Sequence, residues 1–144
     1  MEAVCMIGMM IYLSVEDIRK KTIPVIPLMI WGIVGVVQHL IYGRIDTLSM
    51  MAGMIPGVVA YVLSVVTGEK IGRGDALLLL VTGIYMGFWE NVFMLWIGLI
   101  LAAVVGMMAV VVLRRDRNSE LPFVPFLLAA CLILVISNGG MPVI

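Results

Sequence analysis

The chain has 144 residues, of which 63% are hydrophobic and only 12% charged, with a mean hydropathy of +1.20. Soluble domains run at roughly 45–50% apolar and about 25% charged, so an ordinary soluble domain is excluded and a polytopic membrane protein is indicated. The formal net charge is zero, which gives no electrostatic basis for a nucleic-acid partner.

Six apolar segments follow in chain order, over residues 3–15, 24–42, 47–67, 76–89, 92–113 and 122–136. The expected fold is all-α: one membrane domain over residues 1–144, a bundle of six transmembrane helices. The start Met-Glu-Ala-Val has no basic n-region, and no small-residue cleavage site follows the first apolar run. The first segment is therefore expected to be a retained membrane helix and not a signal peptide. Cys5 and Cys131 both lie inside apolar runs with no CxxC and no Cys/His cluster, so neither a zinc site nor a disulfide framework is expected. Pro24 and Pro122 open the second and sixth segments, where a missing N–H costs little. Pro56-Gly57 predicts a kink in the third. Gly32, Gly35, Gly98 and Gly106 are small residues that let helices approach closely.

A helix needs on the order of 20 residues to cross the hydrocarbon core. The second, third and fifth segments meet this, whereas the first and fourth fall short unless their polar ends also enter the membrane region. That would draw Glu16 and Asp17, at the end of the first, and Asp75, at the start of the fourth, to the depth of the bilayer boundary. Two short helices with an aspartate at the end suggest a water-accessible notch, the setting in which ionisable groups are tolerated.

Eight of the nine basic residues fall in alternate loops: Arg19, Lys20 and Lys21; Lys70 and Arg73; Arg114, Arg115 and Arg117. Arg44 alone lies opposite. The positive-inside rule then puts these loops in the cytoplasm and both termini outside. Asp17 and Asp75 consequently face the same side of the membrane.

The second of these acids ends a polar island, Gly68-Glu69-Lys70-Ile71-Gly72-Arg73-Gly74-Asp75, in which two glycines permit a tight turn and close chain approach. Taken singly, Asp17 balances the adjacent cations and Asp75 caps a helix. Taken together, they suit a paired-carboxylate site: two carboxylates in one site cannot easily both ionise, so one stays protonated. The charged member then takes a proton from water while the neutral one polarises a carbonyl. This is peptide hydrolysis with neither metal nor cofactor. No rival set presents itself. His39 reads as an interfacial or packing residue, and Ser14, Ser64 and Ser137 have no base beside them. Glu16 would project about 100° from Asp17 on a helix and is the weaker candidate. Glu69 and Glu120 read as solvated loop acids, and the 13 methionines as lipid-compatible packing.

The segment Asp17-Ile18-Arg19-Lys20-Lys21-Thr22-Ile23-Pro24 resembles the first aspartate motif, D-x-R…I-P, of type IV prepilin peptidases. Gly72-Arg73-Gly74-Asp75 resembles their GxGD motif, and Leu121-Pro122-Phe123-Val124-Pro125-Phe126 their closing I-P-F-x-P-F signature. Val25 stands where asparagine often follows I-P, and Leu77 where a lysine is often found. The resemblance implies a membrane aspartic endopeptidase of the plasma (inner) membrane with its active site toward the cytoplasm. Its partner substrates would be prepilin or pilin-like precursors, with a short basic leader before a hydrophobic helix. Asp17 and Asp75 carry over as the catalytic pair. Gly72, Gly74 and Pro24 are expected to shape the site, with Glu16 beside it. The few residues between the first two segments leave no place for the cysteine-rich domain of the large members, so N-methylation is not expected. The competing reading is a non-enzymatic bundle, a small cation-coupled transporter or assembly subunit, in which the two aspartates bind or relay ions. Such a relay needs polar groups continuing across the membrane, and the outer halves of the segments offer little besides Gln38, His39 and Asn91.

Overall fold

The computed structural model describes residues 2–43, 46–68, 72–111 and 121–137. Among them there are seven helices and no strand: α1 (Glu2–Lys20), α2 (Val25–Tyr42), α3 (Thr47–Gly53), α4 (Ile55–Val66), α5 (Arg73–Met86), α6 (Phe88–Val111) and α7 (Val124–Ser137). Lys70, Arg44, Arg114, Arg115 and Arg117, on which part of the orientation argument rests, lie outside the described residues, as do the acids Glu69 and Glu120.

On α1, Met6, Met9, Met10 and Leu13 are fully buried. Their spacing of three to four residues is one helix face, and the next position on that face is Asp17. The apolar part of the first segment stops near Val15, but the helix continues to Lys20 and carries the acid down into the packed side.

The third expected helix is two helices, α3 and α4, that meet at Met54. Pro56 has no N–H to return to the carbonyl of Ala52, so the ladder breaks where Pro56-Gly57 predicted. Counted as one span, Thr47–Val66 joins Val25–Tyr42 and Phe88–Val111 as the stretches long and apolar enough to cross a membrane. Outward-facing side chains such as Ile26, Leu40, Val66, Trp96, Met107 and Val111 are largely exposed, the pattern of a surface made for lipid and not for water.

The centre of the bundle is α5. It packs against α1, α2, α3, α4 and α6, and Val81 through Gly87 are buried without a break. A helix apolar all round is an interior helix, and α5, 14 residues long, is buried in that way over its second half. Where helices touch it, glycines make the room. A Cβ on Gly83 would collide with the Gly53 carbonyl of α3, and one on Gly35 of α2 would lie 2.8 Å from the Tyr85 ring. The Tyr85 hydroxyl in turn donates to the Trp31 carbonyl at 2.7 Å.

The boundary between the fourth and fifth segments differs from the expected one. The fourth segment does not run to Trp89, nor does the fifth begin at Val92. α5 ends at Met86 and α6 starts at Phe88, with Gly87 alone between them at φ 80°. Only glycine adopts that backbone without strain, and it lets the chain reverse in one residue. Glu90-Asn91, which reads as a polar loop, is thus in the first turn of α6, and Asn91 is fully buried. Its Nδ2 donates to the carbonyls of Gly53 and Leu79 at 2.8 Å each, and its Oδ1 accepts from the Thr82 hydroxyl at 2.9 Å. One side chain therefore satisfies the carbonyl left over at the end of α3 and ties α3, α5 and α6 together.

Candidate active site

At the opposite end of α5, the chain assembles its acids. Asp17, 7% exposed, lies one turn before the end of α1. Lys21 closes that helix in a left-handed conformation, φ 52°, with its N–H on the Asp17 carbonyl at 2.9 Å. The chain then turns through Thr22-Ile23 to Pro24, which is extended (φ −68°, ψ 117°) and leads into α2.

Ile23 is where the first two motifs meet. A Cβ on Gly74 would lie 2.8 Å from Ile23 Cβ, so the second glycine of the GxGD stretch is the gap into which the I-P residue fits. Gly72 serves the acid itself: a Cβ there would lie 2.7 Å from Asp75 Oδ2. The carboxyl folds back over this glycine in the first turn of α5.

The third motif reaches Asp17. The backbone N–H of Val124, the first residue of α7, donates to Asp17 Oδ2 at 3.0 Å. Asp17 thus caps a helix 107 residues away in sequence, supplying one of the partners that a helix N-terminus lacks.

Asp17 and Asp75 line one cavity of about 480 Å³, together with Thr22, Ile23, Gly72 and Gly74. Lys21, Arg73 and Tyr61 of α4 also border it. Asp75 opens in addition onto an apolar groove of about 590 Å³ between α4 and α6, floored by α5 and edged by Pro56, Leu63, Leu79, Val92, Leu99 and Phe123. Carboxylates held apart from bulk water, beside space for an extended peptide, can activate a water and polarise a carbonyl.

Of the residues singled out in the sequence, Asp17, Asp75, Gly72 and Gly74 come together at this cavity. Pro24 stands directly behind it at the start of α2. Glu16 is not among the residues lining it and instead pairs with Lys20 at 3.0 Å across one helical turn. His39 lies near the other end of α2, buried with Nε2 3.5 Å from the Thr47 hydroxyl. Tyr61 and the Val124 amide are participants that the sequence reading missed. A tyrosine in an apolar helix and a backbone N–H carry no local mark of their position.

The family model described as the type IV leader peptidase family matches residues 4–138. No curated protein and no solved structure matches the chain. A match that runs through every described helix and through both carboxylates of the cavity makes this chain a member of the type IV leader peptidase family, and so a membrane peptidase.

Proposed function

We propose that the protein is an aspartic endopeptidase of the plasma membrane that removes the leader of type IV pilin-like precursors at the cytoplasmic face, with Asp17 and Asp75 as its catalytic pair. The observation that carries this reading is that the two acids, 58 residues apart in the chain, line a single cavity. Three further features support it. Arg19, Lys20, Lys21 and Arg73 all lie at the cavity end of α1 and α5, which by the positive-inside rule is cytoplasmic, with both termini outside. The apolar groove opening from Asp75 suits a substrate whose cut site adjoins a hydrophobic helix. Gly72 and Gly74 let the Asp75 carboxyl and Ile23 close in on the start of α5, which draws the two acid-bearing segments to the same cavity.

In the reaction, one carboxyl is ionised and the other carries a proton. The ionised group accepts a proton from water as the water oxygen bonds to the scissile carbonyl carbon. The protonated group donates to the carbonyl oxygen, giving a neutral gem-diol. The carboxyl that took the water proton passes it to the amide nitrogen, the other carboxylate takes a proton from a gem-diol hydroxyl, and the C–N bond breaks, releasing a carboxyl terminus and an amine and restoring the pair to one ionised and one protonated group. Water is the only co-reactant.

The test is cleavage of a matched precursor in liposomes by the wild type, Asp17→Asn and Asp75→Asn, read by gel shift and N-terminal sequencing. Asparagine keeps size and removes the proton chemistry. Each single substitution is expected to lower the rate by at least about 10³-fold, the scale of losing a general acid or base, in a protein that remains folded. A variant that still cuts at near wild-type rate would sink the paired-aspartate mechanism.

A further inference from the structure

We infer that the backbone N–H of Val124 is a positioning group of the active site: it fixes one oxygen of Asp17, leaves the other for water, and so makes Asp17 the base of the pair. The inference rests on the reading of Asp17 and Asp75 as the catalytic acids and assigns them different tasks.

The local sequence explains why, of the residues in the first turn of α7 itself, Val124 is the one whose N–H is directed outward. The first turn of an α-helix has four N–H groups without an intrahelical acceptor. In α7 the second helical residue is Pro125, which has none to give. The N–H groups of Phe126 and Leu127 both turn back to the Phe123 carbonyl, at 3.0 and 3.3 Å. Val124 remains, and its N–H goes to Asp17 Oδ2. Val124 is wholly buried, so water does not compete for that N–H. A buried donor without its acceptor is costly, and each partner therefore holds the other in place.

Asp75 has a different setting. Its carboxylate lies over Gly72 and faces the apolar groove. An amide donor pairs best with an ionised oxygen, and only Asp17 has one from another helix among the described residues. With Oδ2 engaged, Asp17 presents Oδ1 to the water, and Asp75 is left to donate to the carbonyl. The closing proline-flanked motif is thereby a part of the catalytic geometry, although none of its side chains carries a titratable group.

The test removes that one hydrogen and little else. Val124→Pro deletes the N–H at a first-turn position where proline is tolerated. The α-hydroxy analogue of valine, placed at position 124 by nonsense suppression, makes the same deletion as a backbone ester with the side chain kept. Val124→Ala trims the side chain and keeps the N–H. Steady-state cleavage of the precursor is measured for all three in liposomes. The expected result is a kcat lowered about 10- to 100-fold in the proline and ester variants, the range of a hydrogen bond to a charged group. Their KM stays within about twofold of wild type, and Val124→Ala, which loses buried packing but keeps the N–H, falls less in kcat per folded enzyme than either of them. A purely structural role would instead move all three variants together, in step with their thermal stability. Wild-type kcat in the ester variant, or an equal fall in Val124→Ala, overturns the inference while leaving the catalytic pair intact. Cleavage by Asp17→Asn would overturn the underlying reading itself.

Discussion

Gly74 and Ile23 show how single residues bring the two motif aspartates to one place. The GxGD glycine has no side chain because Ile23 occupies its space. Gly74→Ala is expected to displace the start of α5 from the turn after α1. The predicted cost is about 1–3 kcal/mol of stability, typical of overpacking, and a fall in cleavage of more than about tenfold, since small displacements of catalytic groups are expensive. Ile23→Ala in the same chain is expected to restore part of both. The coupling between the two sites, measured by a double-mutant cycle, checks the contact, and strict additivity would refute it. At this scale the sequence was informative about side chains and silent about backbone. Two carboxylates at the ends of short apolar segments, on the same side by charge counting, can be found without coordinates. The Val124 amide cannot, because every non-proline residue carries the same N–H and only tertiary packing selects one. The separation of Glu16 from Asp17 was legible through helix geometry: one residue is a 100° step, and Asp17 continues the Met6–Met10–Leu13 face while Glu16 turns to Lys20.

Among elements, the broken span α3–α4 and the reversal at Gly87 are joined through Asn91. Asn91→Leu keeps approximate size and removes every hydrogen bond of that side chain, taking its donor from the Gly53 carbonyl at the helix break, while the Thr82 hydroxyl and the Leu79 carbonyl keep each other at 3.1 Å. Interhelical hydrogen bonds in membrane proteins average about 0.6 kcal/mol, but a buried acceptor at a helix break has few alternatives, and leaving one unmade costs roughly 1–3 kcal/mol. A loss of about 2 kcal/mol is expected in reversible unfolding in mixed micelles, with less effect on cleavage by the fraction still folded. The break itself was legible, because Pro56-Gly57 is a local signal. The reversal was not. Trp89-Glu90-Asn91 has the composition of a loop, and a polar residue in a membrane segment reads as an end until its partners are known. The positive φ of Gly87 is set by how α5 and α6 pack, which a lone glycine in sequence does not announce.

For the whole molecule, the groove between α4 and α6 sets the expected path of a substrate helix. Cysteines placed singly at Val92 and Leu63, which edge the groove, are expected to cross-link to a cysteine in the apolar segment of a bound precursor. A cysteine at Ile33, in the separate apolar groove between α2 and α5, is expected not to. The reverse pattern would move the substrate to the other face of α5. The bundle as a class was legible from hydropathy, and so was the shortness of the fourth apolar segment, whereas the central place of α5 was not. Which helices flank α5 was not, since apolar segments of similar composition give no pairing code.

The one-residue connection at Gly87 also has a mechanical consequence. It closes α5 and α6 into a hairpin at the end away from the acids, and Asn91 bolts that end to α3. The molecule is therefore fastened at one end of α5, as tongs are at the rivet, while Asp75 and the α7 amide that grips Asp17 stand at the other end of that 14-residue helix.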